Sequence, residues 1–244
     1  MVLVRKQENE SGIGAMFSQI ARRYDLVNHL TSVGLDLYWR KRAAEYVKPL
    51  RNHSVIDVCC GTGAFAFAFA KSDHAPAAIV GVDISEKMLA QAKRKQVDLT
   101  AKSKLGSTDI KWVCGDCTKL CFDSKLFDIA SCAFGLRNIP DFRAALKEMH
   151  RVLKSTGRVC ILEFSLPKQW LLRRIYLLYF RHVMPWVGGL LSGEPGAYRH
   201  LSDSVCRWDS DIDLAAELKS AGFREINVLS LTFGIAKIYF ASKT

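Results

Sequence analysis

What this 244-residue chain is short of sets the first bounds on it. Acidic residues are the scarcer charged class, 24 Asp and Glu against 35 Lys and Arg, which leaves a formal net charge of +11. That excess predicts attraction to anions, either nucleic acid or an anionic membrane surface. A secretory signal is missing, because after Met1 only Val2, Leu3 and Val4 precede the polar run Arg5 to Glu10. A cytoplasmic protein is therefore expected, and its eight cysteines are expected as reduced thiols. No apolar run reaches the about 20 residues of a spanning helix. The longest, Trp170 to Leu191, is broken by Arg173, Arg174, Arg181 and His182. Cys114, Cys117 and Cys121 form a C-x2-C-x3-C cluster, but no second C-x-x-C or H-x-x-x-H partner completes a tetrahedral site, so no metal is expected. Repeats, low-complexity tracts and linkers are also absent. One domain over residues 1–244 follows, since 49% hydrophobic residues exclude wholesale disorder.

What is present is an alternation of short apolar runs with helical periods. Val55 to Cys59, Ala78 to Asp83, Ile110 to Cys114, Phe127 to Ala133 and Arg158 to Phe164 read as strands covered on both faces. Between them Ala64 to Lys71, Glu86 to Lys95 and Phe142 to Leu153 read as helices. The last has Asp141 placed as N-cap and an apolar stripe of Phe142, Ala145, Leu146, Met149 and Val152. Alternation of this kind predicts an α/β fold with a Rossmann-like, doubly wound, mostly parallel sheet, whose ligands gather at the carboxyl ends of the strands. Near the end, Asp213 to Ala221 reads as a helix stopped by Gly222. Ile226 to Leu231 and Ile235 to Ala241 are too close for a crossover helix and should pair antiparallel. Residues 1–50 carry no strand signal and read as a helical lid, and 165–210 as a helical insertion facing substrate or membrane.

The sharpest local signal is Val55-Ile56-Asp57-Val58-Cys59-Cys60-Gly61-Thr62-Gly63, an apolar strand entering a glycine turn that opens a helix. With Ala66 this fits the dinucleotide fingerprint G-x-G-x-x-G/A, and Asp83 follows at the end of the next strand. Asp57 separates two readings. A carboxylate at the end of the first strand would repel a pyrophosphate, whereas it favours the ammonium and sulfonium of S-adenosylmethionine. Asp83 is placed to take both ribose hydroxyls, and Asp116, after the third strand, to accept from the adenine amine.

Through DVCCGTG, GVDIS followed by Met88 and Leu89, and GDC at 115–117, the chain resembles class I S-adenosylmethionine-dependent methyltransferases. A narrower likeness runs from about Met16 to the C-terminus. Met16-Phe17 with Tyr24-Asp25 and Asn28, Phe134-Gly135-Leu136-Arg137-Asn138, the run from Ala145 to Pro167, and Ala197 to Val205 resemble the ubiquinone/menaquinone biosynthesis C-methyltransferase family. This resemblance implies methylation of a ring carbon of a polyprenylated quinol, either demethylmenaquinol or 2-polyprenyl-6-methoxy-1,4-benzoquinol. It implies S-adenosyl-L-methionine as cofactor, held by Asp57, Gly61, Thr62, Gly63, Asp83, Met88, Asp116 and Cys117. Ala133 stands where many members carry a cofactor-contacting serine.

A quinol carbon becomes nucleophilic once a hydroxyl proton leaves, so a cation beside the phenolate would stabilise the accumulating charge. Arg137 is the first candidate, acting electrostatically or through a water, since its guanidinium is too basic to accept a proton. Asn138 is placed either to orient the ring or to cap the loop before Pro140. Tyr24, Asp25 and His29 from the lid, and Tyr198, Arg199 and His200 from the insertion, are the candidate proton acceptors. Trp170 to Leu191 has apolar residues at helical spacing with arginines on the remaining surface, a pattern suited to anionic lipid and equally to an ordinary helix packed on the sheet. Nucleic acid is the disfavoured partner. The chain has no D/N/S-P-P-Y/F/W tetrapeptide for a flipped adenine and no Pro-Cys dipeptide for cytosine. Other lipid or small-molecule methylations, and cofactor binding without turnover, are the remaining classes.

Overall fold

The computed structural model describes Ser18, Ala21, residues 24–184 and residues 204–244. Met16, Phe17, Tyr198, Arg199 and His200, and residues 185–191 of the expected amphipathic helix, lie outside the described residues.

Two helices, α1 (Tyr24–Thr31) and α2 (Leu35–Val47), precede the first strand. The alternating core then runs β1 (Ser54–Val58), α3 (Ala64–Ala70), β2 (Ala78–Asp83), α4 (Glu86–Ala101), β3 (Asp109–Cys114), β4 (Phe127–Ala133), a 3-10 turn at Leu136–Asn138, α5 (Phe142–Val152) and β5 (Leu153–Phe164). Helix α6 (Trp170–Leu178) passes into a π turn (Tyr179–Val183). After residues 204–211, helical and here α7, come α8 (Leu214–Ser220), β6 (Arg224–Leu231) and β7 (Ala236–Ser242).

The seven strands lie in the order β3-β2-β1-β4-β5-β7-β6. β1 to β5 are parallel and β7 runs antiparallel to both β5 and β6. The order reverses between β1 and β4, which makes the crevice at their carboxyl ends the natural ligand site. The expected Rossmann-like sheet with an antiparallel last strand is what forms. Its two faces are buried separately. Phe142, Leu146 and Met149 of α5 join Leu218 and Phe223 on one face, and Trp39, Ala43 and Val47 of α2 join Phe65 and Phe69 on the other.

Local chemistry explains where elements start and stop. Asp141 Oδ1 accepts from Ala144 N at 3.0 Å, so the expected cap forms; Asp213, expected inside its helix, is instead its N-cap, with Oδ1 accepting from Ala215 N at 3.1 Å. Gly222 takes φ 102 to leave α8, and a side chain there would press on His150. Several boundaries differ from the expectation. β1 ends at Val58 because Cys59 turns to φ 55 and begins the glycine turn. α4 continues six residues past Lys95, to Ala101, with Leu99 packed against the core and Gln96 bonded to Trp112. β5 begins at Leu153, directly after α5, with an irregularity between its pairings to Phe127 and Ile129. The expected long helix from Trp170 is regular only to Leu178 before it widens into the π turn. Among the described residues, no helix is long and apolar enough to cross a membrane.

Candidate active site

The glycine turn leaves β1 with φ 54 at Gly61 and 79 at Gly63. Gly63 is needed twice over, since its φ is left-handed and a Cβ would run into the Trp112 ring. That ring is pinned by its Nε1 donating to Gln96 Oε1 at 2.6 Å. Around Gly61, by contrast, a Cβ would meet nothing within 4 Å, so the turn is open on its ligand side.

Three acids face this crevice from successive strand ends. Asp57 is 1% exposed; Ser131 Oγ donates to its Oδ1 at 2.7 Å, while its buried Oδ2 has no partner in the protein. Burial pushes the Asp57 carboxyl up to about 7, against the pull of Ser131 and Arg40. Asp83 accepts from Gly61 N at 2.8 Å and Ser85 N at 2.9 Å, tying the glycine turn to the turn after β2. Burial raises its carboxyl too, and these backbone donors oppose the shift. Asp116 Oδ1 accepts from Thr118 N and Oγ1, both at 2.8 Å. Asp83, Met88, Asp116 and Cys117 line one cavity of about 390 Å³, together with Gly61 and Ala133. Cys117 turns inward to 3.7 Å from Cys59 Sγ, whereas Cys114 and Cys121 are exposed, so the three do not converge.

Asp57 and Thr62 lie instead on a small adjoining chamber of about 30 Å³, where Arg40 is also a wall residue. Thr62 Oγ1 donates to Asp25 Oδ1 of α1 at 2.6 Å, and the other Asp25 oxygen pairs with Lys95 of α4. One lid carboxylate thus bridges the glycine turn and the helix after β2. Tyr24, its neighbour, lines both cavities. Burial raises the Tyr24 phenol above its ordinary value, with Arg40, then Arg137, opposing the shift. His29 sits apart from the cavities, bonded through Nδ1 to Asp36 Oδ1 at 2.9 Å.

Arg137 and Asn138 diverge. Asn138 lines the large cavity, with its Oδ1 buried and without a protein partner. Arg137 lines a neighbouring depression of about 320 Å³ that it shares with Asn138. Its Nη1 donates to Phe134 O and Glu163 Oε1, each at 2.6 Å, its guanidinium lies over the Phe164 ring, and its buried Nε has no partner. It is neither a surface arginine nor an unpaired cation.

Sequence reasoning missed Glu163, Ser131 and Arg40. Glu163 had a signal, being the one charge at the end of an otherwise apolar strand run. Arg40 had one as well: within the basic tract Arg40-Lys41-Arg42 it alone falls on the stripe of Asp36, Trp39, Ala43, Ala44 and Val47 that α2 buries.

The acidic set fits S-adenosylmethionine on one structural observation above others, the orphaned buried Asp57 oxygen, which calls for a hydrogen-bond donor, favours a cationic one and would repel a phosphate. Among solved structures, an S-adenosylmethionine-dependent methyltransferase from Thermotoga maritima superposes with TM-score 0.63 at 18% identity, over 95% of this chain and all of that one. The cyclase SpnF superposes with TM-score 0.58 at 17% identity, over 95% of this chain and 94% of that one. Such distances establish the fold alone. Sequence relatives are far nearer. A ubiquinone/menaquinone biosynthesis C-methyltransferase UbiE from Geobacter sulfurreducens is 41% identical over 243 residues, covering all of this chain and 93% of that one. A demethylmenaquinone methyltransferase from Thermus thermophilus is 38% identical, covering 93% of this chain and all of that one. The model of the ubiE/COQ5 methyltransferase family matches residues 4–243, and the chain belongs to that family.

Proposed function

We propose that this protein uses S-adenosyl-L-methionine to methylate a ring carbon of a polyprenylated quinol in menaquinone or ubiquinone biosynthesis. The observation that carries the reading is Asp57, a buried carboxylate with one unpartnered oxygen on a small chamber adjoining the cavity that Asp83 and Asp116 line. The names of the relatives supply the substrate class.

When bound, the cofactor supplies an electrophilic methyl group. In this reading Asp57 takes its ammonium, Asp83 its ribose hydroxyls, and Asp116 with Cys117 its adenine, while Gly61 and Ala133 allow close approach of the backbone; Gly63 lines neither cavity and serves the turn, with its open face against Trp112. Met88 packs beneath the base. The quinol ring lies toward Tyr24 and Asn138, where the cavity wall is apolar with Phe134, Ile139 and Pro140. A desolvated phenol stays protonated at neutral pH, so Tyr24 acts as a hydrogen-bond donor to a phenolate oxygen and not as the base. Asn138 Oδ1, a buried acceptor, holds the second hydroxyl or a water. Arg137 acts through its directed N–H groups, because Glu163 balances its charge.

The same reading makes residues 1–50 a lid and 165–210 the substrate-facing insertion of one domain, with residues 185–203 outside the described set. Exposed Trp170, Leu171, Ile175 and Leu178 beside Arg173 and Arg174 support peripheral contact with an anionic membrane, where the isoprenoid tail resides. Calorimetry tests the cofactor assignment. Tight binding of S-adenosylhomocysteine and none of NAD is expected, and tight NAD binding with no S-adenosylhomocysteine bound would overturn it.

A further inference from the structure

None of the residues assigned to the methyl donor above takes its α-carboxylate. We propose that Arg40 binds it, so that the small chamber is a zwitterion site with Asp57 taking the ammonium and Arg40 the carboxylate. This rests on the cofactor reading above and deepens it.

The two cavities share Tyr24, Cys59, Gly61 and Ala133 in their walls. A ligand whose ribose meets Asp83 and whose base meets Asp116 has its other end at those shared residues. Beyond them the chamber has room for a few polar atoms and no ring. Its wall holds one anionic side chain, Asp57, and one cationic side chain, Arg40. An amino-acid terminus carries the same two charges on one carbon, and neither a phosphate nor a simple amine matches both.

Arg40 is built as a fixed donor. Its side chain is 8% exposed, and Nη1 donates to Asp36 Oδ2 at 2.8 Å and Asp36 O at 3.0 Å. Its guanidinium lies 5.0 Å from the centre of the Phe134 ring. A guanidinium has five N–H donors, so a carboxylate anchored at one end leaves others for a ligand. Asp36 is itself held in place, since its Oδ1 also accepts from His29 Nδ1 and Ser32 Oγ, each at 2.9 Å, and Nη1 is the only Arg40 nitrogen it engages. Arg40 belongs to lid helix α2 and Asp57 to the sheet, so one ligand terminus gripping both ties the lid to the core.

The test measures binding of S-adenosylmethionine and decarboxylated S-adenosylmethionine to the full chain and to Arg40→Leu and Arg40→Lys. A charge-assisted hydrogen bond is worth about 10- to 150-fold in affinity. The wild type is expected to prefer the intact ligand by a ratio in that range. Arg40→Leu should weaken the intact ligand alone and bring the ratio near one; Arg40→Lys should fall between. Hydrogen exchange over residues 35–47 should slow with the intact ligand and much less with the decarboxylated one. Retained binding of the decarboxylated ligand reports that the variants are folded. Equal loss of both ligands in both variants, or an unchanged ratio, would overturn the assignment of Arg40. If the wild type binds neither ligand, the cofactor reading itself fails.

Discussion

Arg137 Nη1 lies 2.6 Å from Glu163 Oε1, and both side chains are buried, 5% and 0% exposed. The pair joins the 3-10 turn after β4 to the carboxyl end of β5 and fixes the direction of the guanidinium over the Phe164 ring. Removing one partner strands the other as a buried, uncompensated charge, at a cost of about 3 to 5 kcal/mol. Arg137→Ala should therefore lower the melting temperature as well as turnover, while S-adenosylhomocysteine binding is retained. Arg137→Lys keeps the charge and loses the planar fork. Its expected result is kcat down at least tenfold with the cofactor Kd within about twofold. An unchanged kcat would remove Arg137 from the chemistry.

Asp57 makes cofactor binding depend on pH. Its carboxyl sits at about 7 in the free protein. Below that pH it is protonated, and an ammonium ligand must displace the proton; above it the anion is ready. Affinity should thus fall about tenfold per pH unit below 7 and level off above it. Asp57→Asn should bind more weakly at pH 8 and lose this dependence, as isothermal titration between pH 5 and 8 would report.

The two turn glycines should separate space from strain. Gly63→Ala forces a methyl group against the pinned Trp112 ring in a left-handed backbone and should cost about 2 kcal/mol or more of stability. Gly61→Ala has open space around its Cβ and should cost about 1 kcal/mol, the left-handed conformation alone. Denaturant melts should give that order.

Asp25 holds the lid through Thr62 and Lys95. Asp25→Asn should speed hydrogen exchange in residues 24–31 of the free protein without changing that of the β1–β4 core. Uniform speeding would mean general destabilisation and no latch.

The membrane reading predicts that replacing exposed Trp170 and Leu171 by Ser leaves stability within about 0.5 kcal/mol and reduces flotation with anionic vesicles. Flotation of the wild type should also weaken at high salt, because Arg173 and Arg174 supply part of the attraction.

Most of the sheet was readable because strands covered on both faces are near-continuously apolar, and β1, β2 and β4 carry at most two polar side chains each. The acids at 57, 83 and 116 were readable for the opposite reason, as charges standing in or just after the last residues of β1, β2 and β3. Side chains whose role depends on a distant partner were not. Nothing near Ser131 in the chain announces that it donates to Asp57, 74 residues earlier. Thr62 looked like a cofactor contact, yet its hydroxyl here serves Asp25, 37 residues away. Arg137 looked like a free cation because Glu163 lies beyond a whole intervening helix. Arg40 was hidden by its neighbours Lys41 and Arg42, which are solvated, and only the helical stripe distinguishes it.

The central claim, methyl transfer to a quinol ring carbon, is tested most directly by incubating the protein with methyl-labelled S-adenosylmethionine, a reduced prenylated demethylquinol and total RNA, then analysing each fraction by mass spectrometry. Label on a ring carbon of the quinol, lost in Asp83→Ala, is the predicted result. Label confined to RNA, or none on the quinol while the cofactor binds tightly, would contradict the account.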